Sequence, residues 1–117
     1  MNNPKFTKFI SSANKFRFNL KAENGEIVLH SEDYETEYAC NNGIDSVRIN
    51  SPYDANYDRL ISNNNQYYFV LKANNGKVIG VSETHTTKQG NEVGIASVKR
   101  VASTAPVENL IKSTMKI

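Results

Sequence analysis

The chain has a single cysteine, Cys40, so no intrachain disulfide can staple it, and nothing in its cysteine usage points to an oxidising compartment. It has two histidines, His30 and His85, and neither stands at metal-ligand spacing from another histidine, a cysteine or a carboxylate pair. Charge of one sign is also scarce. Lys and Arg number 14 against 12 Asp and Glu, and the net +2 is too mild to demand a nucleic acid or a membrane surface as partner. Long apolar runs are missing: no stretch approaches the length that spans a bilayer, and Met1-Asn2-Asn3-Pro4-Lys5 is no start for an apolar leader. A G-x-S-x-G elbow, a P-loop and a G-x-G-x-x-G turn are all lacking. These absences lead to the expectation of a soluble cytoplasmic protein with no metal, no cofactor and no membrane partner.

What the chain does have is a repeat. Phe18, Leu20, Lys21, Ala22, Asn24 and Gly25 recur as Phe69, Leu71, Lys72, Ala73, Asn75 and Gly76, at an offset of 69 − 18 = 51. Without a gap the same offset pairs Ser31-Glu32 with Ser82-Glu83, Thr36 with Thr87, Gly43-Ile44 with Gly94-Ile95 and Ser46-Val47 with Ser97-Val98. A tandem duplication settles the architecture before any propensity is weighed. At 117 residues the chain can bury roughly two thirds of its unfolded surface. One domain over residues 1–117 is expected, with repeats at about 5–53 and 56–112.

Each repeat reads alike. Phe16, Phe18, Leu20 and Ala22 alternate with Arg17, Asn19 and Lys21, the period-2 pattern of a strand with one buried and one wet face; Tyr67, Phe69, Leu71 and Ala73 repeat it. Asn24-Gly25 and Asn75-Gly76 predict type I′ turns, after which residues 26–31 and 77–82 fold back as hairpin partners. Shorter strands are expected upstream at residues 6–10 and 57–61, joined on by polar turns. Thr36 and Thr87 are fair N-caps, and Cys40, Ile44 and Val47 then fall on one helical face, as do Ile95 and Val98. Gly43 and Gly94 sit mid-helix, where glycine costs about 1 kcal/mol against alanine, which suggests a helix backbone lying close to the sheet. Pro52 ends the first helix, Pro106 follows the second, and residues 107–111 form a last strand. The fold expected is α+β: two β-β-β-α repeats about a pseudo-twofold axis, antiparallel sheets each covered by one helix.

The motif F-x-L-K-A-x-N-G, then S-E-x-Y, then G-I-x-S-V resembles the YegP-like family of small bacterial and archaeal proteins. Phe18 to Gly25, Ser31 to Tyr34 and Gly43 to Val47 carry it here, and so do their second copies, save that His85 replaces tyrosine. The resemblance implies the duplicated β-β-β-α unit, with single-repeat relatives pairing as dimers. It brings no catalytic residues, and the joined chain is therefore expected to be a monomer.

The residues that carry chemistry are few. His30 aligns with Val81 and His85 with Tyr34, so no symmetric site contains both histidines. Cys40 reads as a small buried hydrophobe rather than a reactive thiol. Glu32 and Glu83 stand where a carboxylate can accept N–H groups at a helix N-terminus, a structural role set against an anion or ligand site there. Ser46 and Ser97 read as small side chains at a close contact. Lys5, Lys8, Lys15, Arg17 and Lys21 all precede the first acid, Glu23. Lys21 and Lys72 project from equivalent wet faces near Arg17 and Tyr68, and cations beside an aromatic are how several sheet modules hold single strands. The reading is a non-enzymatic binding or interaction module with a protein or nucleic-acid partner. Arg17, Lys21, Tyr68 and Lys72 are its partner-binding residues. The alternatives are a weak single-stranded nucleic-acid binder on that face and a small enzyme with a cleft near His85 and Tyr34.

Overall fold

Alternation of apolar and polar side chains produces strands wherever the sequence carries it. The structure, a computed structural model, describes residues 3–111; Lys112, the expected end of the second repeat, lies outside them. In chain order the elements are β1 (Lys5–Ile10), β2 (Phe16–Lys21), β3 (Ile27–His30), α1 (Glu37–Asn50), a 3-10 turn (Asp54–Asn56), β4 (Tyr57–Ile61), β5 (Tyr67–Lys72), β6 (Val78–Val81), α2 (Lys88–Val101) and β7 (Val107–Asn109). The fold is α+β, two helices on a mixed seven-stranded sheet.

The hairpin turns differ from expectation. Positive φ falls on Gly25 (84°) and Gly76 (87°) and not on Asn24 or Asn75. Gly25 N donates to Ala22 O at 2.9 Å, and Ala22 N donates to Glu26 O at 2.9 Å. These are three-residue loops, a type I turn followed by a left-handed glycine, rather than type I′. The asparagine contributes otherwise: Asn24 Oδ1 accepts from Glu26 N, and Asn75 Oδ1 from Lys77 N. The loops between β1 and β2 and between β4 and β5 close in the same way, with Asn14 (φ 65°) and Asn65 (φ 64°) taking the left-handed position. Asparagine tolerates that conformation because its short polar side chain bonds locally.

A second difference is larger. The two three-stranded halves do not form separate sheets but join edge to edge in the order β4-β5-β6-β3-β2-β1-β7. β3 meets β6 antiparallel with His30 opposite Val81. The helices follow suit. α1 packs on β2 and also on β5 and β6, while α2 packs on β5 and β3, so each helix spans the seam instead of covering its own sheet. One hydrophobic cluster therefore includes Phe18, Leu20, Ile44, Phe69, Leu71 and Ile95 from both halves. Joining buries on one shared face what two separate sheets would leave partly wet. At the seam Leu29 faces Gly80. A Cβ at Gly80 would lie 2.5 Å from Leu29 Cδ2, so only glycine leaves Leu29 room.

Both helices begin as their caps dictate. Thr36 Oγ1 accepts from Ala39 N at 3.0 Å, and Thr87 Oγ1 accepts from Gly90 N at 2.9 Å. Cys40, Gly43, Ile44, Val47 and Asn50 form the buried face of α1, and Asn91, Gly94, Ile95, Val98 and Val101 that of α2. α1 ends at its cap Ser51 and α2 at its cap Ala102. β7 stops at Asn109, shorter than expected, and pairs with β1 in parallel. Phe6 N donates to Pro106 O at 2.8 Å on that edge. On the opposite edge the matching N–H, that of Tyr57, is already donated to Asp54 O in the 3-10 turn. Among the described residues no helix is long and apolar enough to cross a membrane.

Candidate functional site

The helix glycines are explained by rings tucked beneath the helices. Tyr34 forms a bridge to Phe16 and stacks on Phe18 with centroids 6.3 Å apart; His85 bridges to Tyr67 and stacks on Phe69 at 6.4 Å. A Cβ at Gly43 would come within 2.7 Å of Tyr34 Cζ, and one at Gly94 would lie 3.2 Å from His85 Nε2. What approaches the helix backbone is thus an aromatic ring standing on the sheet. Burial raises the Tyr34 hydroxyl above its usual pKa, with the Glu32 charge adding to the effect.

Ser31 and Ser82 hold the chain where each third strand leaves the ladder. Ser31 Oγ accepts from Phe18 N and donates to Glu32 O; Ser82 Oγ does the same with Phe69 N and Glu83 O. Both hydroxyls are consumed by backbone. The expected capping by Glu32 and Glu83 is replaced by the threonines, because the helices start five residues further on. The Glu83 carboxylate instead meets His30 Nε2 at 2.5 Å across the seam, and His30 Nδ1 meets Asn19 Oδ1 at 2.9 Å.

The two histidines have different neighbourhoods. His85 Nδ1 lies 3.0 Å from Asn91 Oδ1 and 3.3 Å from Tyr67 O. Asn91 Nδ2 donates to Tyr68 O at 3.2 Å, which orients the amide so that its oxygen faces the ring. Two acceptors at Nδ1 favour a proton there, which in the neutral ring leaves the lone pair on Nε2. Among the described residues Nε2 has no hydrogen-bond partner. Position 91 corresponds to Cys40 in the first half (91 − 51 = 40), so Tyr34 with Cys40 has become His85 with Asn91. Placing the two halves in register exposes this paired change; sequence reasoning set His85 against Tyr34 but missed Asn91 against Cys40.

His85 lines a groove of about 560 Å³ between the β2–β3 hairpin and α2. Ala22, Val28 and Val93 give it apolar walls, and Gly90 and Gly94 open the helix side. Glu26 and Glu83 supply carboxylates, and no Lys or Arg is among the lining residues. Tyr34 is not among them either, so the groove does not join Tyr34 to His85. Arg100 ties the hairpin to α2 through Nε and Nη2 to both Glu23 carboxylate oxygens at 3.0 and 2.9 Å. The hydrogen bond from Arg100 holds the Glu23 carboxyl down at about 2.

The expected partner-binding residues occupy the opposite, helix-free face. Phe6 and Tyr57, which pair with Leu20 and Leu71, are buried under the helices, so their neighbours Lys21 and Lys72 point the other way, as do Arg17 and Tyr68. Arg17 and Lys21 lie on β2 and Tyr68 and Lys72 on β5, three strand spacings or roughly 14 Å apart. His30 and Val81 stand between them. Arg17 Nη2 donates to Ser31 O at 2.9 Å and its Nε lies 3.3 Å from Asp33; Lys72 meets Asp58 at 2.6 Å. The other N-terminal cations are paired too: Lys5 with Glu108, Lys8 with Glu37 beneath α1, Lys15 with Glu35. Of the three candidate cations Arg17, Lys21 and Lys72, Lys21 alone has no acidic partner among the described residues.

Cys40 is fully buried, and burial raises its thiol to about 11. Among the described residues no group of three or more His, Cys, Asp or Glu could hold a metal ion.

Comparison with known proteins places this geometry in a family. The family described as a domain of unknown function (DUF1508) matches twice, at residues 11–58 and 62–109. Each match takes in two strands, a helix and part or all of the strand that follows. The UPF0339 protein YegP of Escherichia coli strain K12 is 46% identical over 99 residues, 85% of this chain and 90% of that protein. A UPF0339 protein of Acinetobacter baylyi is 48% identical over 96 residues, 82% of this chain and 86% of the other. The solution NMR structure of Escherichia coli YegP, described as a protein of unknown function, superposes with a TM-score of 0.90 at 41% identity, covering 97% of this chain and 98% of that one. A UPF0339 protein from Shewanella oneidensis gives a TM-score of 0.88 at 36% identity, covering 96% of this chain and 95% of the other.

Proposed function

The chain belongs to the UPF0339 family of YegP proteins, and on that premise we propose that it is a non-enzymatic cytoplasmic binding module whose ligand site is the groove between the β2–β3 hairpin and α2. The observation that carries the reading is the groove itself: about 560 Å³, apolar walls, and among its lining residues an imidazole with one ring nitrogen unpaired among the described residues. Volumes of a few hundred Å³ with a few fixed polar groups are the usual form of a small-molecule site. The engaged side chains support binding over catalysis. Ser31 and Ser82 give their hydroxyls to backbone, and Cys40 is a buried thiol of raised pKa, so none of them is an activated nucleophile.

In this reading the chain is one domain of two β-β-β-α repeats about a pseudo-twofold axis between β3 and β6, His30 and Val81 being equivalent across it (81 − 30 = 51). Joining the repeats closes their contact internally, and the chain is a monomer. The helix-free face ranks second as a partner surface, because Arg17 and Lys72 are already engaged by Asp33 and Asp58 and stand on strands roughly 14 Å apart.

The test is an amide-resolved NMR titration with a fragment set of cations, anions and neutral molecules. Shifts that saturate and cluster on Val28, Gly90, Val93 and Gly94 are expected. Shifts confined to β2 and β5 of the helix-free face, or none with any fragment, would overturn the groove as the binding site.

A further inference from the structure

Ligand class follows from what the groove offers and what it withholds. Its charged side chains are acids alone, Glu26 and Glu83, the latter already bonded to His30; beside them stand the His85 ring, the hydroxyls of Thr84 and Ser97 and the Asn24 amide. The proton of that imidazole is turned inward, held on Nδ1 by Asn91 Oδ1 and Tyr67 O. No cationic side chain lines the groove to neutralise it; the one guanidinium nearby, Arg100, is spent on Glu23 beyond its end. Between the acceptors the walls are aliphatic, from Ala22, Val28 and Val93, and Gly90 and Gly94 expose helix backbone rather than side chains. An anion would meet two carboxylates and no counter-charge. A neutral apolar molecule would leave the Glu26 carboxylate and His85 Nε2 unpaired, which costs free energy wherever they are shielded from water.

We propose that the groove binds a short aliphatic primary amine, its ammonium donating to His85 Nε2 and to the Glu26 carboxylate while its methylenes lie on Ala22, Val28 and Val93. An ammonium brings a positive charge and three donors, which suit a carboxylate and an imidazole lone pair in a groove without a cation. The proposal rests on the groove being the binding site and names what occupies it. A free small amine fits a groove of about 560 Å³. In the first half the equivalent ring is Tyr34, which offers a phenol hydroxyl in place of an imidazole lone pair.

The experiment titrates the full chain with 1,5-diaminopentane, and in parallel with 1,5-pentanediol and pentanoate, which keep the chain length and change the head group. Saturable shifts at Val28, Val93 and Gly94 with the diamine, and none with the other two, are expected. Glu26→Gln, at the exposed hairpin, is expected to weaken the diamine about tenfold, the size of one lost charge-assisted hydrogen bond. His85→Tyr, which installs the side chain native to position 34, is expected to weaken it by a similar factor with the melting temperature retained. Should that variant fail to fold, Glu26→Gln still decides. Equal binding of the diol, binding of pentanoate in place of the diamine, or unchanged affinity in Glu26→Gln would overturn the amine assignment while leaving the groove as a site. A lysine-containing peptide that binds the groove while the free diamine does not would overturn it too. Silence of the groove to every probe would remove both readings.

Discussion

Gly80→Ala places one methyl group at the seam between the two halves. An ideal Cβ there lies 2.5, 2.6 and 2.9 Å from Cδ2, Cγ and Cδ1 of Leu29, which is itself wholly buried. Three overlaps on one packed side chain cannot be relieved by a single rotation, and overpacking of this kind costs about 1–3 kcal/mol. Replacing a strand glycine returns roughly 0.5–1 kcal/mol of backbone entropy. The net loss should be about 0–2.5 kcal/mol, a fall in melting temperature of up to roughly 10 °C for a chain of this size. Leu29→Ala alone removes a core side chain and should cost about 2–5 kcal/mol. In the double variant the methyl group introduced at position 80 occupies part of the vacated volume, so the combined loss should fall short of the sum by about 1 kcal/mol or more. Urea denaturation of the four proteins, with m unchanged, measures each contribution. A stabilised Gly80→Ala protein, or additivity within about 0.5 kcal/mol, would refute the claim that Leu29 fills the space glycine leaves.

The helix glycines should differ in the same assay: Gly43→Ala drives into Tyr34 and should cost about 1–3 kcal/mol, partly recovered by Tyr34→Phe, whereas Gly94→Ala meets contacts no closer than 3.1 Å and should stay within about 1 kcal/mol of the parent. Cys40, buried and raised to about 11, should resist a thiol-specific chromogenic disulfide at pH 8 and react promptly once denaturant unfolds the chain; fast labelling of the native protein would count against its burial. Glu23 is depressed in the folded state, so its ion pair contributes stability above the ordinary carboxylate pKa of 4.5 and loses it as pH falls towards about 2. Glu23→Gln should therefore melt below the parent at pH 7 and converge on it near pH 2, and a gap that widens on acidification would reverse the sign of the argument.

What was legible in the sequence is what neighbouring residues decide. Strand alternation around Phe18 and Phe69, the threonine caps and the apolar helix faces all rest on interactions within a few residues. The turns were half legible: Asn-Gly marks a tight turn, but whether asparagine or glycine takes positive φ depends on loop length, and the three-residue loop assigns it to Gly25 and Gly76. The merger of the halves was not legible, because it depends on His30 meeting Val81 and on Gly80 yielding to Leu29, contacts with no local signature. The groove was hidden for the same reason. Its walls come from residues 22–28 and 83–97, and only the joint change from Tyr34 and Cys40 to His85 and Asn91 hinted that one half had acquired a different chemistry. Charge counting misled in a further way: the run of cations before Glu23 looked like a basic surface, yet acids far along the chain meet most of it one by one.

The two rims of the sheet end in unlike ways, and this bears on how the molecules behave when crowded. One rim is β7, only three residues long; the other is β4, whose first N–H is already turned back to Asp54. A filament built by laying one molecule's rim against the next needs a long run of free donors and acceptors on both. Here the run is short at one rim and broken at its start at the other, and Arg59, on β4, is clasped by Asp54 and Glu92. Concentrated solutions of this protein should consequently stay free of ordered end-to-end growth, even though Leu60 and Ile61 lie exposed on β4.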